Sequence, residues 1–132
     1  MIETQDISTN IWTRVVKMSE EEIVKLQLIM HCYISSLQLT PLAIDVLTII
    51  GVRGICDLSV LVNDLAKSGM FSEEQGARNM LSRLEDAGLV VKEWKKGGTK
   101  NKIIYLHPSI GIQNRSPIYV EIKAVCQEQV ED

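Results

Sequence analysis

Five lysines lie within residues 92–102, around the turn Lys-Lys-Gly-Gly-Thr-Lys-Asn. The segment also holds Glu93, so its net charge is +4, whereas the other 121 residues hold nine basic and sixteen acidic side chains and have a net charge of −7. Such a concentration of cations can attract phosphate groups to one face of an acidic protein. The alternative is a solvated hairpin, because lysines also keep exposed strand edges from pairing.

A second set of polar side chains belongs to a helix predicted at 73–87. Ser72 and Gln75 have the spacing of a capping box, and apolar residues recur after them at helical spacing. With those apolar residues turned to the core, the outward face carries Gln75, Arg78, Asn79, Ser82 and Arg83. Arg matches the two acceptors of guanine, and Asn or Gln matches adenine. Arg78 and Asn79 are therefore the best candidates for contacts with base edges. The Gln75 side chain could either cap the helix or contact a base.

Two short β-rich runs flank the lysine-rich turn and predict a hairpin. Leu89-Val90-Val91 with Trp94 forms one run, and Ile103 to Leu106 forms the other. Gly88 supplies the left-handed residue that commonly ends a helix before such a strand. The candidate contacts to phosphates or to a minor groove on this hairpin are Lys95, Lys96, Thr99, Lys100, Asn101 and Lys102.

Together these residues carry a family resemblance. Ser72, the pair Arg78-Asn79 and the run 84–90, followed by a basic hairpin, resemble the recognition helix and wing of winged helix-turn-helix proteins. Residues 57–66 resemble the helix that precedes the recognition helix in that family. Leu39-Thr40-Pro41, opening an apolar helix, is similar to the MarR-like branch.

The resemblance covers roughly residues 39–108, about half of the chain. It implies a mainly α fold with a small antiparallel β-sheet, a winged helix-turn-helix with extra N- and C-terminal elements. It also implies a double-stranded DNA partner, with helix 73–87 in the major groove and wing 92–102 on the DNA backbone. In MarR-like proteins the terminal helices form a dimer, so we expect a homodimer in which helix 19–37 takes part.

The winged-helix core has its own local signals. Thr40 and Pro41 form an N-cap and first-turn pair for a helix that we expect to stop at Gly51. Residues 52–56 are short, apolar and flanked by glycines, which suits a small strand paired with the wing. Asp57 then caps the next helix, which we expect to end at Gly69.

We expect a single domain, 1–132, without repeats or linkers. Residues 1–18 form an N-terminal arm, extended or partly a strand, and residues 109–132 form a C-terminal extension. Within that extension Ser116 and Pro117 favour a helix from Ile118 to about Gln129. The β-branched run at its start leaves a strand as the alternative.

The residue inventory argues against an enzyme. The two histidines lie far apart, no glycine-rich phosphate loop is present, and Gly97-Gly98 is explained by a hairpin turn. Cys32, Cys56 and Cys126 lack metal-ligand spacing, so we expect reduced thiols in a cytoplasmic protein without metal or cofactor. The chain contains no apolar run of the ~18 residues that a membrane span needs, and its N-terminus does not have the pattern of a signal peptide.

Two functions follow. The first is a bacterial or phage transcriptional regulator that binds DNA. The second is a winged helix serving as a protein-interaction or structural subunit of a larger, possibly phage, assembly, which fits the net acidity and the acidic residues Glu73 and Glu74. A phage or mobile-element protein that binds DNA within packaging or replication machinery would combine the two. A continuous basic face joining Arg78 and Arg83 to the wing would favour DNA, and an acidic face around 73–78 would favour a protein partner.

Overall fold

The chain forms two compact units. A computed structural model describes residues 9–97 and 101–127. The first unit draws its described residues from Met1–Ser19 and Ser116–Asp132, and the second is Glu20–Arg115. None of the helices in the described ranges is long and apolar enough to cross a membrane.

The described residues form four helices and two small antiparallel sheets. In chain order the elements are β1 (Thr9–Met18), α1 (Glu20–Ile34), α2 (Pro41–Arg53), β2 (Cys56–Asp57), α3 (Leu58–Lys67), α4 (Glu74–Asp86), β3 (Val90–Trp94), β4 (Lys102–Leu106) and β5 (Ile118–Gln127). The predicted combination of helices with a small antiparallel sheet is thereby confirmed, and a second sheet is added to it.

The described part of the first unit is a two-stranded ribbon. Strands β1 and β5 pair antiparallel over ten residue pairs, from Thr9 opposite Gln127 to Met18 opposite Ile118. The helix predicted from Ile118 to Gln129 is therefore wrong over the described residues, which end at Gln127. Its opening β-branched run prefers extended backbone, and β1 supplies the partner strand that this preference needs. Because this C-terminal element is a strand, the described part of the chain offers α1, but no C-terminal helix, to the expected homodimer, which stays a prediction.

The second unit begins with α1 and α2. The Thr40 hydroxyl accepts a hydrogen bond from the Ala43 N–H at 3.2 Å, and Pro41 occupies the first turn of α2, as predicted. The helix does not stop at Gly51 but continues to Arg53. The break comes at Gly54, whose φ of 76° is the left-handed conformation that glycine tolerates. Its N–H donates to the Ile50 carbonyl and completes the helix end.

The predicted capping box at the start of α4 does not form. The N-cap residue is Glu73, one position later than predicted, so Gln75 lies one position too early to reach back to the N-cap. The Gln75 amide instead donates to the Asn79 side-chain oxygen, one turn along the helix, at 2.9 Å. The other end matches the prediction, because Gly88 follows the helix with a φ of 77°.

Strand β4 is the middle strand of the second sheet. It pairs with β3, from Val90 opposite Leu106 to Trp94 opposite Lys102, which confirms the predicted hairpin. On its other side it pairs with β2, where Cys56 lies opposite Ile104. The small strand predicted at 52–56 does pair with the hairpin, but it is confined to two residues because α2 takes up residues 52 and 53.

One apolar core joins the helices of the second unit to its sheet. Each of the four helices buries at least two apolar side chains in it, and β3 and β4 contribute Val90 and Ile104. The largest fully buried side chains are Leu28, Leu47, Ile50, Leu61, Leu65, Leu81, Leu89 and Ile104. At about 25 cal/mol per Å² of apolar surface, this burial is the main term that holds helices and hairpin together.

Two helical glycines give a matched test of this packing. A Cβ on Gly51 would lie 2.8 Å from Val24 Cγ1 and 3.1 Å from Leu106 Cδ1, whereas a Cβ on Gly76 would meet Phe71 Cδ1 at an ordinary 3.4 Å. Val24 is buried and β-branched, so it has little freedom to move away. We expect Gly51→Ala to lower the free energy of unfolding by about 1–3 kcal/mol through overpacking. Gly76→Ala should instead raise it by up to about 1 kcal/mol through helix propensity.

Chemical denaturation followed by circular dichroism measures both changes. Equal stabilities of the two variants would contradict the close approach of α2 to Val24 and Leu106.

Candidate nucleic-acid interface

Helix α4 and the β3–β4 hairpin line a common groove. Its volume is about 410 Å³, and the start of α3 closes one side of it. The residues that line it are Leu58, Ser59, Arg78, Leu81, Ser82, Lys92, Trp94, Asn101 and Lys102. Three of these side chains are cationic, and none of the described residues lining the groove carries a carboxylate.

The hairpin face that enters the core continues outward into this groove. Residues opposite one another in an antiparallel pair share a face, and alternate residues along a strand lie on the same side. Ile104 is therefore on the same face as Lys92, and that face extends to the pair formed by Trp94 and Lys102. It changes from apolar beside the helices to cationic and aromatic towards the turn.

The predicted contact residues divide into two sets. Arg78, Ser82, Asn101 and Lys102 line the groove together. The others that the structure describes are exposed without lining it, and they are Gln75, Asn79, Arg83, Lys95 and Lys96. Thr99 and Lys100 lie outside the described residues.

Arg78 and Arg83 occupy different sides of α4. Five residues separate them, which is about 140° of rotation around an α-helix. Arg78 lines the groove together with hairpin residues and Arg83 does not, so of these two arginines Arg78 is the one that joins the cations of the hairpin. Neither guanidinium has an ion pair or a hydrogen bond with any side chain in the described part of the chain.

Lys92 is a groove residue absent from the predicted contacts. Its ammonium lies 3.3 Å from the Ser82 hydroxyl and 3.6 Å from a Glu85 carboxylate oxygen, and its side chain is 13% exposed. The aliphatic stem is thus covered while the charged end reaches the surface. Alternation along the strand places Lys92 on the face of Trp94, and this periodicity was the signal in the sequence.

Trp94 and Lys102 form the outer end of the groove. The Lys102 ammonium lies 4.8 Å from the centre of the Trp94 ring, a cation–π contact, and Trp94 is 64% exposed. An exposed indole beside a cation offers a stacking surface together with positive charge. Its place in the groove makes Trp94 a candidate contact residue that was absent from the predicted contacts.

Carboxylates around the hairpin are engaged with nearby groups. Asp57 has no capping hydrogen bond to α3, and its carboxylate lies 3.5 Å from the Lys95 ammonium. The Tyr105 hydroxyl donates to Glu93, and this hydrogen bond is the main cause of the raised pKa of Tyr105. Glu73 and Glu74 are exposed at the start of α4, outside the groove. Their charges stabilise the positive end of the helix dipole there.

The described thiols are poor nucleophiles. Burial raises the pKa of Cys32, and burial also raises that of Cys56, with Arg53 partly opposing the change. Since the thiolate is the reactive form, both react slowly at neutral pH. Within residues 9–97 and 101–127 no three His, Cys, Asp or Glu side chains group together as a metal site would require.

Comparisons of the chain with protein-family models, with curated proteins and with solved structures found no match. The groove geometry and its charges are therefore the basis for assigning a function.

Proposed function

We propose that the second unit is a winged helix that binds double-stranded DNA, with α4 as recognition helix and the β3–β4 hairpin as wing. The observation that carries this proposal is the groove in which Arg78 and Ser82 of α4 meet Lys92, Trp94 and Lys102 of the hairpin. It joins base-reading and phosphate-binding side chains on one surface. None of the described lining residues carries a carboxylate, although Lys92 lies 3.6 Å from the carboxylate of Glu85 outside the lining.

Base reading is assigned to the outward face of α4. The major groove of B-DNA is wide enough for an α-helix, and residues near the N-terminus of a recognition helix meet base edges. Arg78 lies in the second turn of α4, and its guanidinium can donate two hydrogen bonds to guanine. The hydrogen bond from Gln75 to Asn79 holds the Asn79 amide in place. Its N–H groups stay available to an acceptor on adenine.

Phosphate binding is assigned to the hairpin. Lys96 is exposed and has no ion pair within the described residues, whereas Lys95 shares its charge with Asp57. Lys102 is held over Trp94 and points its charge into the groove. Each phosphate contact releases counterions, so the affinity should fall steeply with salt concentration. Phosphate contacts place the protein on the duplex, and base contacts select the sequence.

The role that fits this interface is that of a small transcriptional regulator of bacterial or phage type, acting in the cytoplasm and without catalysis. A recognition helix with a basic wing provides binding energy and sequence discrimination together, which is what occupancy of an operator requires. The thiols with raised pKa values add no nucleophile to this surface.

A protein-interaction module is the second candidate, and one observation favours it. Helix α1 exposes several large apolar side chains, including Met30, Tyr33 and Ile34, and Tyr33 is 85% exposed. Beside them lies a mainly apolar hollow of about 470 Å³ that includes Leu37 and Leu39. Such a surface is typical of a protein contact. If this apolar surface were the main functional site, the wild-type protein would not bind DNA. Substitutions on the exposed face of α1 would then abolish binding of a protein partner.

Arg78 and Arg83 provide a matched test of base reading. We expect Arg78→Ala to weaken binding to duplexes that the wild type enriches from a random pool by about 1–3 kcal/mol, and to relax base preference at one position. Arg83→Ala removes the same charge about 140° around the helix and should have a smaller effect. Fluorescence anisotropy with enriched and random duplexes measures both. Losses of the same size for Arg83→Ala would refute the assignment of the groove side of α4 to base reading.

Lys96 and Lys95 test the phosphate contacts of the wing. Lys96→Ala should weaken binding to enriched and random duplexes alike and reduce the slope of log affinity against log salt by about 1, because one phosphate contact is lost. Lys95→Ala should change the slope less, since the Asp57 carboxylate lies 3.5 Å from that ammonium and competes with a phosphate for it. The change in slope of the Lys95/Lys96 double variant should equal the sum of the changes in the two single variants. A change confined to the enriched sequence would show that these lysines read bases instead.

A further inference from the structure

Among the described residues the outer edge of β5 has no partner strand, and the exposed charged side chains on this strand are Glu121 and Lys123. Among the described residues β5 pairs with β1 alone, and the register runs through ten residue pairs without a bulge. A two-stranded ribbon of this kind is marginally stable by itself in water, and three or more strands are usually needed. Proline and bulges commonly protect such edges, but Pro117 precedes β5 and does not interrupt it.

We propose that β5 pairs antiparallel with β5 of a second copy of this chain, about a two-fold axis at Ile122. The two ribbons then form one continuous four-stranded sheet in the order β1, β5, β5, β1. The surface is the strand edge, the partner is the same protein, and the proposal does not depend on DNA binding.

The side chains of β5 are self-complementary in this register. Glu121 lies opposite Lys123 of the second copy, and Lys123 lies opposite Glu121 of the second copy, so two attractive pairs form. On the other face Val120 meets Ala124 of the second copy, and Ile122 meets its own counterpart. Ile122 is 50% exposed in the single chain and is available for this contact. Opposite charges and β-branched pairs directly across from one another both stabilise a sheet.

The charges also specify this register against its neighbours. A two-fold axis perpendicular to the sheet places one residue of β5 opposite the same residue of the second copy. Each allowed register is therefore defined by which residue lies at the axis. Centring the axis on residue 121 would bring the two Glu121 carboxylates face to face. Centring it on residue 123 would do the same to the two Lys123 ammonium groups. Like charges directly opposite each other destabilise a sheet, so the register centred on Ile122 is favoured.

The edge of β1 is not self-complementary in charge. The described side chains of β1 include two charged groups, Arg14 and Lys17, and both are cations. No antiparallel pairing of β1 with its own copy produces an attractive charge pair, so the charges of β1 do not favour a dimer through that edge. Pairing of β1 with β5 of another copy would leave two edges free and grow into an open polymer instead of a closed dimer.

Charge reversal tests the pairing with an internal control. In sedimentation of the full chain, we expect the wild type to dimerise. Glu121→Lys and Lys123→Glu, each alone, should weaken self-association about tenfold, because each brings two pairs of like charges together. An equimolar mixture of the two single variants should dimerise like the wild type, since the Lys-bearing strand then meets the Glu-bearing strand. The double reversal in one chain should also restore self-association.

Three results would overturn the proposal. They are a wild type that stays monomeric over the whole concentration range, single variants that dimerise as well as the wild type, and open polymers in place of a closed dimer. Circular dichroism of each variant establishes that it has folded, so that weaker association is not the result of unfolding.

A crosslink provides a second readout that does not depend on charge. Ile122→Cys places two thiols opposite each other across the axis, at the separation that a disulfide can span. Ile118→Cys lies on the same face of the same strand, but in this register its two copies are about 27 Å apart, at about 3.4 Å per residue. Both variants also carry Cys126→Ser, because this register places residue 118 opposite residue 126 of the second copy, where the native thiol could form a disulfide. Mild oxidation should then give a covalent dimer for Ile122→Cys and not for Ile118→Cys or for Cys126→Ser alone. Crosslinking of Ile118→Cys, or none of Ile122→Cys, would contradict the register.

Discussion

Burial of the Ile104 side chain is the constraint on which the candidate interface depends. Ile104 is 0% exposed in the middle strand, opposite Cys56 on one side and Lys92 on the other. A slip of one residue in β4 would turn Ile104 to solvent and Ile103 to the core, reversing the faces of the hairpin. Lys102 would then leave the groove. The apolar core therefore determines where the cations of the hairpin stand relative to α4.

The cations of the hairpin are concentrated in one segment, and neighbouring side chains also hold them in position. Lys92 is fixed by Ser82 and Glu85, and Lys102 by the Trp94 ring, so both reach the groove with restricted side chains. An exposed cation–π contact contributes roughly 0.5–1 kcal/mol, and an ion pair with an exposed carboxylate roughly 0–1 kcal/mol, so the effect of both contacts is mainly one of position. Pre-positioned side chains lose less entropy when they bind a phosphate than free ones do. The net charge of −3 belongs to the chain as a whole, whereas binding responds to the local field.

Elements whose signals are local could be predicted from the sequence. Thr40 and Pro41 mark the start of α2 with residues that cap and preset the first turn, and Gly88 ends α4 by its own backbone freedom. The N-cap of α4 lies one residue later than predicted, at Glu73, which is not a favoured N-cap residue and makes no side-chain capping hydrogen bond, so no local signal marks it. The conformation of residues 118–127 was harder to predict from the sequence, because a β-branched run forms a strand only where a partner strand is available. That partner is β1, at the other end of the chain. Alternation along the predicted hairpin would have placed Lys92 beside Trp94, but the pairing of Lys95 with Asp57 depends on tertiary structure.

The central claim is that the groove between α4 and the hairpin contacts DNA, and tryptophan fluorescence tests it most directly. The chain has two tryptophans, Trp94 in the groove and Trp12 in the ribbon. Trp12→Phe leaves Trp94 as the reporter, and Trp94→Phe leaves Trp12 as the matched control. We predict that random duplex DNA at low salt changes the emission of the Trp12→Phe protein saturably, that added salt reverses the change, and that the Trp94→Phe protein responds little. No response of Trp94 at micromolar protein, or a response of Trp12 alone, would contradict the claim.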